Sequence, residues 1–272
     1  MKLPRKVLDK IGKCIYCGET EKPLQTEHII PYGLNGPWEL LEASCDKCAA
    51  ITSAFESTVL KKSLIVPRVA LDFPTRRKDQ RPKKFNFAIT RNGRQEVLKV
   101  PMHEHFAVII LPISEFPAYL DGHPYEKGVN LIGAIEIQVG GPSIKELIKR
   151  YGTKKLSITV TWHGNCFERM LAKIAYGFSV AYLGMENIEE VYILPAILGQ
   201  KDDVGRWVGT AKDIHLEIGK FLHHVELAII NEEIIARIKL FALYNVPEYL
   251  VVVGKVTKHF LKEPNSLTDS GS

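Results

Sequence analysis

Apolar and polar residues follow two different periods along the chain, and the change between them divides it. Residues 44–62 are predicted to form a helix, with Ser44 as its N-cap and Pro67 as the latest limit to its end. From residue 85 the pattern becomes that of strands. Residues 85–90 and 95–100 flank Asn92-Gly93, a pair typical of the type I′ turn of a β-hairpin. Further strands are predicted at 106–111, 131–139 and 156–161, with a short helix over 143–151.

A second long helix is predicted from Asn165 to Leu183, ending at Gly184. Asn165 and Glu168 have the spacing of a capping box at its start. Apolar residues cover most sides of this helix, so we expect it to be the central buried helix of the second part of the chain. Residues 225–256 predict long strands that turn near 231–232 and 245–247. The polar residues from 263 onward predict a disordered tail.

Composition restricts the class of protein. The chain has 272 residues, of which 46% are hydrophobic, and it lacks both a run of ~18 apolar residues and the apolar core of a signal peptide. We therefore expect a cytoplasmic protein with no membrane association. The cytosol keeps thiols reduced, so its five cysteines are expected to be metal ligands or buried thiols rather than disulfides.

Positive charge is concentrated in the first part of the chain. Residues 1–100 carry 19 Lys and Arg against 11 Asp and Glu, whereas the remaining residues carry 17 against 20. The N-terminal part is therefore the one expected to bind a polyanion, and DNA is the predicted partner. Residues 63–84 form a basic arm or linker. Its predicted phosphate contacts are Arg76, Arg77, Lys78, Arg81, Lys83 and Lys84, although such a run can also be only a solvated linker.

Two CxxC knuckles carry the strongest chemical signal. Cys14 and Cys17 form the first, and Cys45 and Cys48 form the second. A two-residue spacing lets both thiolates of a knuckle bind one ion, and four thiolates complete the tetrahedral shell of structural Zn²⁺. A redox-active pair is the main alternative, but it needs only one knuckle.

Between the knuckles lies Glu27-His28 followed by Ile-Ile-Pro. A CxxC knuckle, an acidic residue with histidine on a strand, and a second CxxC knuckle entering a helix together resemble the HNH endonuclease family. The likeness extends to the branch with Glu-His and with a Phe-Glu pair on the helix, here Phe55-Glu56. It covers about fifty residues.

The resemblance implies a role for each of these residues. His28 would be the general base that deprotonates a water attacking a phosphodiester. Glu27 would ligate a catalytic Mg²⁺ or Mn²⁺. Many relatives carry Asn or His after the last cysteine, where this chain has Ala49, and their loop-orienting Asn is replaced here by Leu40 and its neighbours. Glu56 is then the best substitute metal ligand, and Asn35 could pin the loop.

These observations predict an α+β protein. A small zinc-stapled ββα-metal module, residues 1–62, precedes the basic arm, and an antiparallel-sheet domain with a buried helix, residues 85–262, follows it. The expected function is a metal-dependent endonuclease. The departures leave open a zinc-dependent nucleic-acid-binding protein without hydrolysis. A nuclease switched by residues 85–262 or by a partner is a third possibility, and a regulatory protein or a second copy of the chain is a possible partner.

Overall fold

The computed structural model describes residues 6–125, 127–213 and 218–262. Within these ranges the chain is a mixed α+β protein, and every strand pair is antiparallel except β1 with β3. The predicted α+β class with antiparallel sheets is therefore confirmed. The tail predicted at 263–272 lies outside the described residues.

The helices and strands follow in chain order. The strands are β1 Lys6–Lys10, β2 Leu24–His28, β3 Trp38–Cys45, β4 Lys84–Arg91, β5 Arg94–Pro101, β6 Ala107–Ser114, β7 Leu131–Gly140, β8 Lys155–Ser157, β9 Ile188–Val191, β10 Val208–Thr210, β11 His223–Ile230, β12 Glu233–Leu240 and β13 Tyr249–Val256. The helices are α1 Asp46–Thr58, α2 Ile65–Ala70, α3 Ala118–Asp121, α4 Ile144–Tyr151, α5 Cys166–Leu183, α6 Leu194–Ile197, α7 Val204–Trp207 and α8 Lys258–Lys262.

The N-terminal unit is a three-stranded sheet of order β1-β3-β2, followed directly by α1. The helix begins one residue later than predicted, because Cys45 rather than Ser44 is its N-cap. Ser44 is buried within β3. The helical path continues through a π-helical turn, Val59–Ser63, so the predicted end near residue 62 is close to the observed one.

The hairpin predicted at Asn92-Gly93 joins β4 to β5. Both residues have positive φ, 48° and 74°, as a type I′ turn requires. β8 pairs with the other edge of β4 but is much shorter than the strand predicted over 156–161. The predicted helix over 143–151 is α4, and Ser143 with Glu146 forms a complete capping box at its start.

Helix α5 is buried on nearly all sides, as its composition predicts. Asn165 is its N-cap, but the predicted capping box with Glu168 does not form: the Asn165 side chain makes no capping hydrogen bond, and its amide donates to Asp202. The helix ends at Gly184, where φ is 81°. It packs against α1 on one side and against β12 and β13 on the other.

One hydrophobic core joins the N-terminal unit to the rest of the chain. It includes Ile29 and Ile30 after β2, Phe55 on α1, most of α5 and the inner face of β13. A smaller core lies between β4, β6 and α4. The division at residue 62 stays a prediction, but the buried apolar surface is continuous across it. Among the described residues, no helix is both long and apolar enough to span a lipid bilayer.

Candidate functional site

The two CxxC knuckles converge at the junction of β3 and α1. The four cysteine sulfurs all lie within 4.8 Å of one another, and the Sγ atoms of Cys17 and Cys45 are 3.6 Å apart. A tetrahedral zinc with bonds of about 2.3 Å places its sulfurs about 3.8 Å apart. Three of the four side chains are buried and Cys17 is exposed.

The donor set fits a structural zinc ion. Burial raises the pKa of the Cys14 and Cys48 thiols, so four thiolates are stable together only around a cation. A four-thiolate shell leaves no open position for substrate, so this centre would staple the module without reacting. The fifth cysteine, Cys166, lies outside the cluster at the start of α5.

Strand β2 carries Glu27 and His28 to the centre of the unit. Neighbouring residues of a strand point to opposite faces, and here Glu27 is buried while His28 remains partly exposed. The chain then turns through Ile30 and a short 3₁₀ turn, Tyr32–Leu34. A Cβ atom on Gly36 would lie 2.4 Å from the Ile30 carbonyl oxygen, so this tight return requires glycine.

Glu27 and Glu56 meet at a lysine that the sequence analysis did not single out. The Nζ atom of Lys173, on α5, lies 2.6 Å from Glu27 Oε1 and 2.9 Å from Glu56 Oε1. It also donates to the carbonyl oxygen of His28 and lies 3.4 Å from that of Ile29. Glu27 and Glu56 thus lie together, as ligands of one ion would, but their common partner is an ammonium group.

The charges of this cluster are buried and mutually compensating. The Lys173, Glu27 and Glu56 side chains are 1%, 8% and 16% exposed. Burial by itself acts to lower the pKa of Lys173, but Glu27 and Glu56 outweigh it and the pKa is raised. Burial also raises the pKa of Glu56, against the opposing effect of Lys173. We conclude that Lys173 is charged.

This geometry does not offer an open site for a catalytic divalent ion. The expected ligands of Mg²⁺ or Mn²⁺ were Glu27 and Glu56, and the space where their oxygens converge contains Lys173 Nζ. Ala49, on the first turn of α1, adds no ligand atom. The expectation of a catalytic metal therefore receives no support from these residues.

The imidazole of His28 lies between the carboxylate of Glu39 and the guanidinium of Arg76. Its Nδ1 is 3.4 Å from Glu39 Oε1, because the register of β2 and β3 sets the two residues opposite each other. Its Nε2 is 3.3 Å from the Arg76 guanidinium, which can only donate. The ring proton is therefore assigned to Nδ1 and the lone pair to Nε2. Tyr32 packs beside both the His28 ring and Arg76.

Asn35 ends the 3₁₀ turn after His28. It is buried and adopts the left-handed conformation with φ of 63°, and its backbone N–H donates to the Tyr32 carbonyl. Asparagine tolerates this conformation better than most residues. This position is compatible with the loop-pinning role suggested from the sequence, which stays a prediction.

The basic arm is anchored rather than loosely tethered. Phe73 is buried against Phe241, and Arg81 pairs with Asp72 at 2.6 Å and donates to the carbonyl oxygens of Phe73 and Arg68. Arg81 thus holds the arm in place. The five other predicted phosphate contacts are exposed: Arg76, Arg77, Lys78, Lys83 and Lys84.

Two site residues, Lys173 and Glu39, were missed from the sequence. Lys173 had a detectable signal, since it is a charged residue within an otherwise apolar helix face. Such a residue needs a buried counter-charge. Glu39 had no comparable signal, because only the strand register reveals its contact with His28.

Comparisons of the chain with models of known families, with curated proteins and with solved structures each gave no match.

Proposed function

We propose that this chain is a nucleic-acid hydrolase of HNH type, in which His28 acts as the general base on a water that attacks a phosphodiester. The orientation of His28 carries the proposal. Glu39 lies beside Nδ1 and the donor-only Arg76 lies beside Nε2, so the surroundings favour the tautomer that accepts a proton at Nε2.

In this proposal Arg76 moves from the imidazole to the substrate. A guanidinium binds a phosphate through paired N–H donors and prefers that anion to a neutral imidazole. Binding of the phosphodiester would thus free Nε2 for water. The water proton passes to Nε2, the new P–O bond forms, and the bond to the leaving oxygen breaks as that oxygen takes a proton from solvent.

Plasmid nicking tests this proposal. The full chain, loaded with zinc, is incubated with supercoiled plasmid in buffer alone and with added Mg²⁺ or Mn²⁺. We expect nicking that falls at least about 100-fold in His28→Ala, the lower bound usual for loss of a general base. The matched control is His103→Ala, since the His103 side chain is 80% exposed and lies beside Glu104 rather than at the proposed site. Equal nicking by wild type and His28→Ala would exclude the proposed role.

The second candidate is a zinc-dependent nucleic-acid-binding protein without hydrolysis. Lys173 favours it, because the two carboxylates expected to bind the catalytic metal are engaged with the ammonium group. The same plasmid experiment separates the candidates. Retarded migration of DNA without nicking under any of the three conditions would support binding alone.

A further inference from the structure

We propose that Lys173 is a built-in cation that takes the position of a divalent metal ion between Glu27 and Glu56. The inference concerns the same site as the proposed function, and it predicts that this centre binds no catalytic divalent ion. It does not require that the chain cleaves nucleic acid. The two ideas can therefore fail separately.

The oxygen atoms around Lys173 resemble the ligand shell of a hard metal ion. Two carboxylates and two backbone carbonyls converge on Nζ, and these are the groups that bind Mg²⁺ and Ca²⁺ in proteins. The distances of 2.6 and 2.9 Å to the carboxylate oxygens suit an ammonium hydrogen bond. With Lys173 in place the two carboxylate oxygens are farther from the centre than the distance of about 2.0–2.1 Å that Mg²⁺ requires.

The charge balance leads to the same conclusion. With Lys173 present, the two buried carboxylates share one positive charge. Removal of the ammonium would leave two negative charges in a buried space, which is strongly unfavourable unless a proton or a cation replaces it. The lysine side chain is fixed by helix α5, which is itself buried against the β2 end and β13. The ammonium group of Lys173 therefore stays beside the two carboxylates and balances their charge.

Lys173 is also a positioning residue for His28. Its ammonium donates to the His28 carbonyl, and this bond links α5 to the last residue of β2, which carries the imidazole. A metal ion in the same place would hold the strand end through ligand bonds. The lysine therefore supplies both the charge and the mechanical link from within the chain.

Manganese binding tests the inference without depending on nuclease activity. Zinc-loaded full-length protein is titrated with Mn²⁺, and the loss of the free Mn²⁺ resonance is followed by electron paramagnetic resonance. We expect no stoichiometric site that depends on Glu27 and Glu56 in the wild type. Lys173→Ala should gain one stoichiometric Mn²⁺ site that the wild type lacks, because the two carboxylates then need another cation. The gain should disappear in Lys173→Ala combined with Glu56→Gln.

The matched control is Lys201→Ala, an exposed lysine in the loop before α7, which should leave Mn²⁺ binding unchanged. If Lys173→Ala does not fold, the wild type and Glu56→Gln still decide the question. Stoichiometric Mn²⁺ binding by the wild type that Glu56→Gln abolishes would overturn the inference, and its absence supports it. A folded Lys173→Ala that gains no site would also overturn it.

The combination with plasmid nicking keeps the two proposals apart. No Mn²⁺ site with His28-dependent nicking supports both. The absence of both a Mn²⁺ site and nicking supports the inference about Lys173 and rejects the proposed hydrolysis. A Mn²⁺ site in the wild type that depends on Glu56, together with nicking, rejects the inference and supports a metal-dependent mechanism instead.

Discussion

His223 is buried at the start of β11, and both of its ring nitrogens are engaged. Nε2 donates to the Leu34 carbonyl at 2.7 Å, and Nδ1 accepts from the Phe241 N–H at 3.2 Å. A second ring proton would face that N–H. Burial lowers the pKa of His223 to about 4. This histidine therefore connects the turn after His28 to β11 only while it is neutral.

The pH dependence of stability follows from this pKa. The unfolded chain binds a proton near pH 6.5 and the folded chain only near pH 4, so the stabilisation is complete above 6.5 and is lost as pH falls toward 4. The contribution is on the order of 3 kcal/mol. We expect His223→Gln to reduce this part of the slope in urea titrations, while His224→Gln, at an exposed neighbour, leaves it intact. Parallel curves for His223→Gln and wild type would contradict the assignment.

Glu168 should show the opposite dependence. This carboxyl group lies in the first turn of α5, and burial raises its pKa to about 7. The folded state therefore binds the proton more tightly than the unfolded state, so stability is highest below about pH 4.5 and falls as pH rises to 7. We expect the free energy of unfolding of Glu168→Gln, relative to that of the wild type, to rise by about 3 kcal/mol between pH 4 and 8. Glu146→Gln, at an exposed helix start, should show no such growth. A constant difference would show that Glu168 is not desolvated in solution.

At the scale of single elements, those with strong local signals were predicted best. The Asn92-Gly93 turn fixes the β4–β5 hairpin, and α5 follows from its apolar residues and Gly184. Two boundaries were less accurate for physical reasons. Helix α1 is capped by Cys45 rather than Ser44, and Cys45 belongs to the cysteine cluster at that point of the chain. β8 is short because only Lys155–Ser157 finds a partner, on the edge of β4.

The start of α1 should depend on the metal. Cys45 is its N-cap, and it makes no side-chain capping hydrogen bond. Zinc bound by the four cysteines would therefore hold the junction of β3 and α1. We expect Cys45→Ala to lose stoichiometric zinc and to expose residues 10–60 to protease, because metal binding supplies on the order of 10 kcal/mol in small zinc folds. Cys166→Ala, outside the cluster, is the matched control. A protease-resistant 10–60 region in zinc-free Cys45→Ala would count against a structural metal.

At the scale of the whole molecule, the site could be predicted only in part. The knuckles, Glu27, His28 and Glu56 lie within about fifty residues, and their spacing signals a common centre. The partner of the two carboxylates lies on α5, far away in sequence: the apolar helix signals that Lys173 needs a counter-charge, but not which residues supply it. Register determines the Glu39 contact, and it is equally invisible from a single strand.

The exposed part of the arm makes a prediction about DNA binding. If Arg77, Lys78, Lys83 and Lys84 contact phosphates, each adds roughly 0.9 to the slope of log affinity against log salt concentration. Replacing all four by Ala should flatten that slope by about 3.6 units while zinc content is preserved. The control variant removes four positive charges from α4 and the residues just after it, by replacing Lys145, Lys149, Arg150 and Lys154 with Ala. It should leave the slope nearly unchanged. A steep slope in the arm variant would identify the run as a solvated segment.

A fragment of residues 1–95 should be a poor substitute for the intact chain. It retains the four cysteines, His28 and the arm but lacks Lys173, so Glu27 and Glu56 lose their cation. We expect the fragment to bind zinc and yet to nick plasmid less than the full chain. Faster cleavage by the fragment would indicate instead that residues 85–262 restrain the module.

The bond from Lys173 to His28 spans 145 positions of the sequence. A ribosome that adds roughly 5–20 residues per second needs on the order of ten seconds to cover that interval. During this time the nascent N-terminal unit has its cysteines but not the ammonium group that balances Glu27 and Glu56. The centre can close only when α5 has left the exit tunnel. Synthesis itself thus delays assembly of the site until most of the polypeptide has been made.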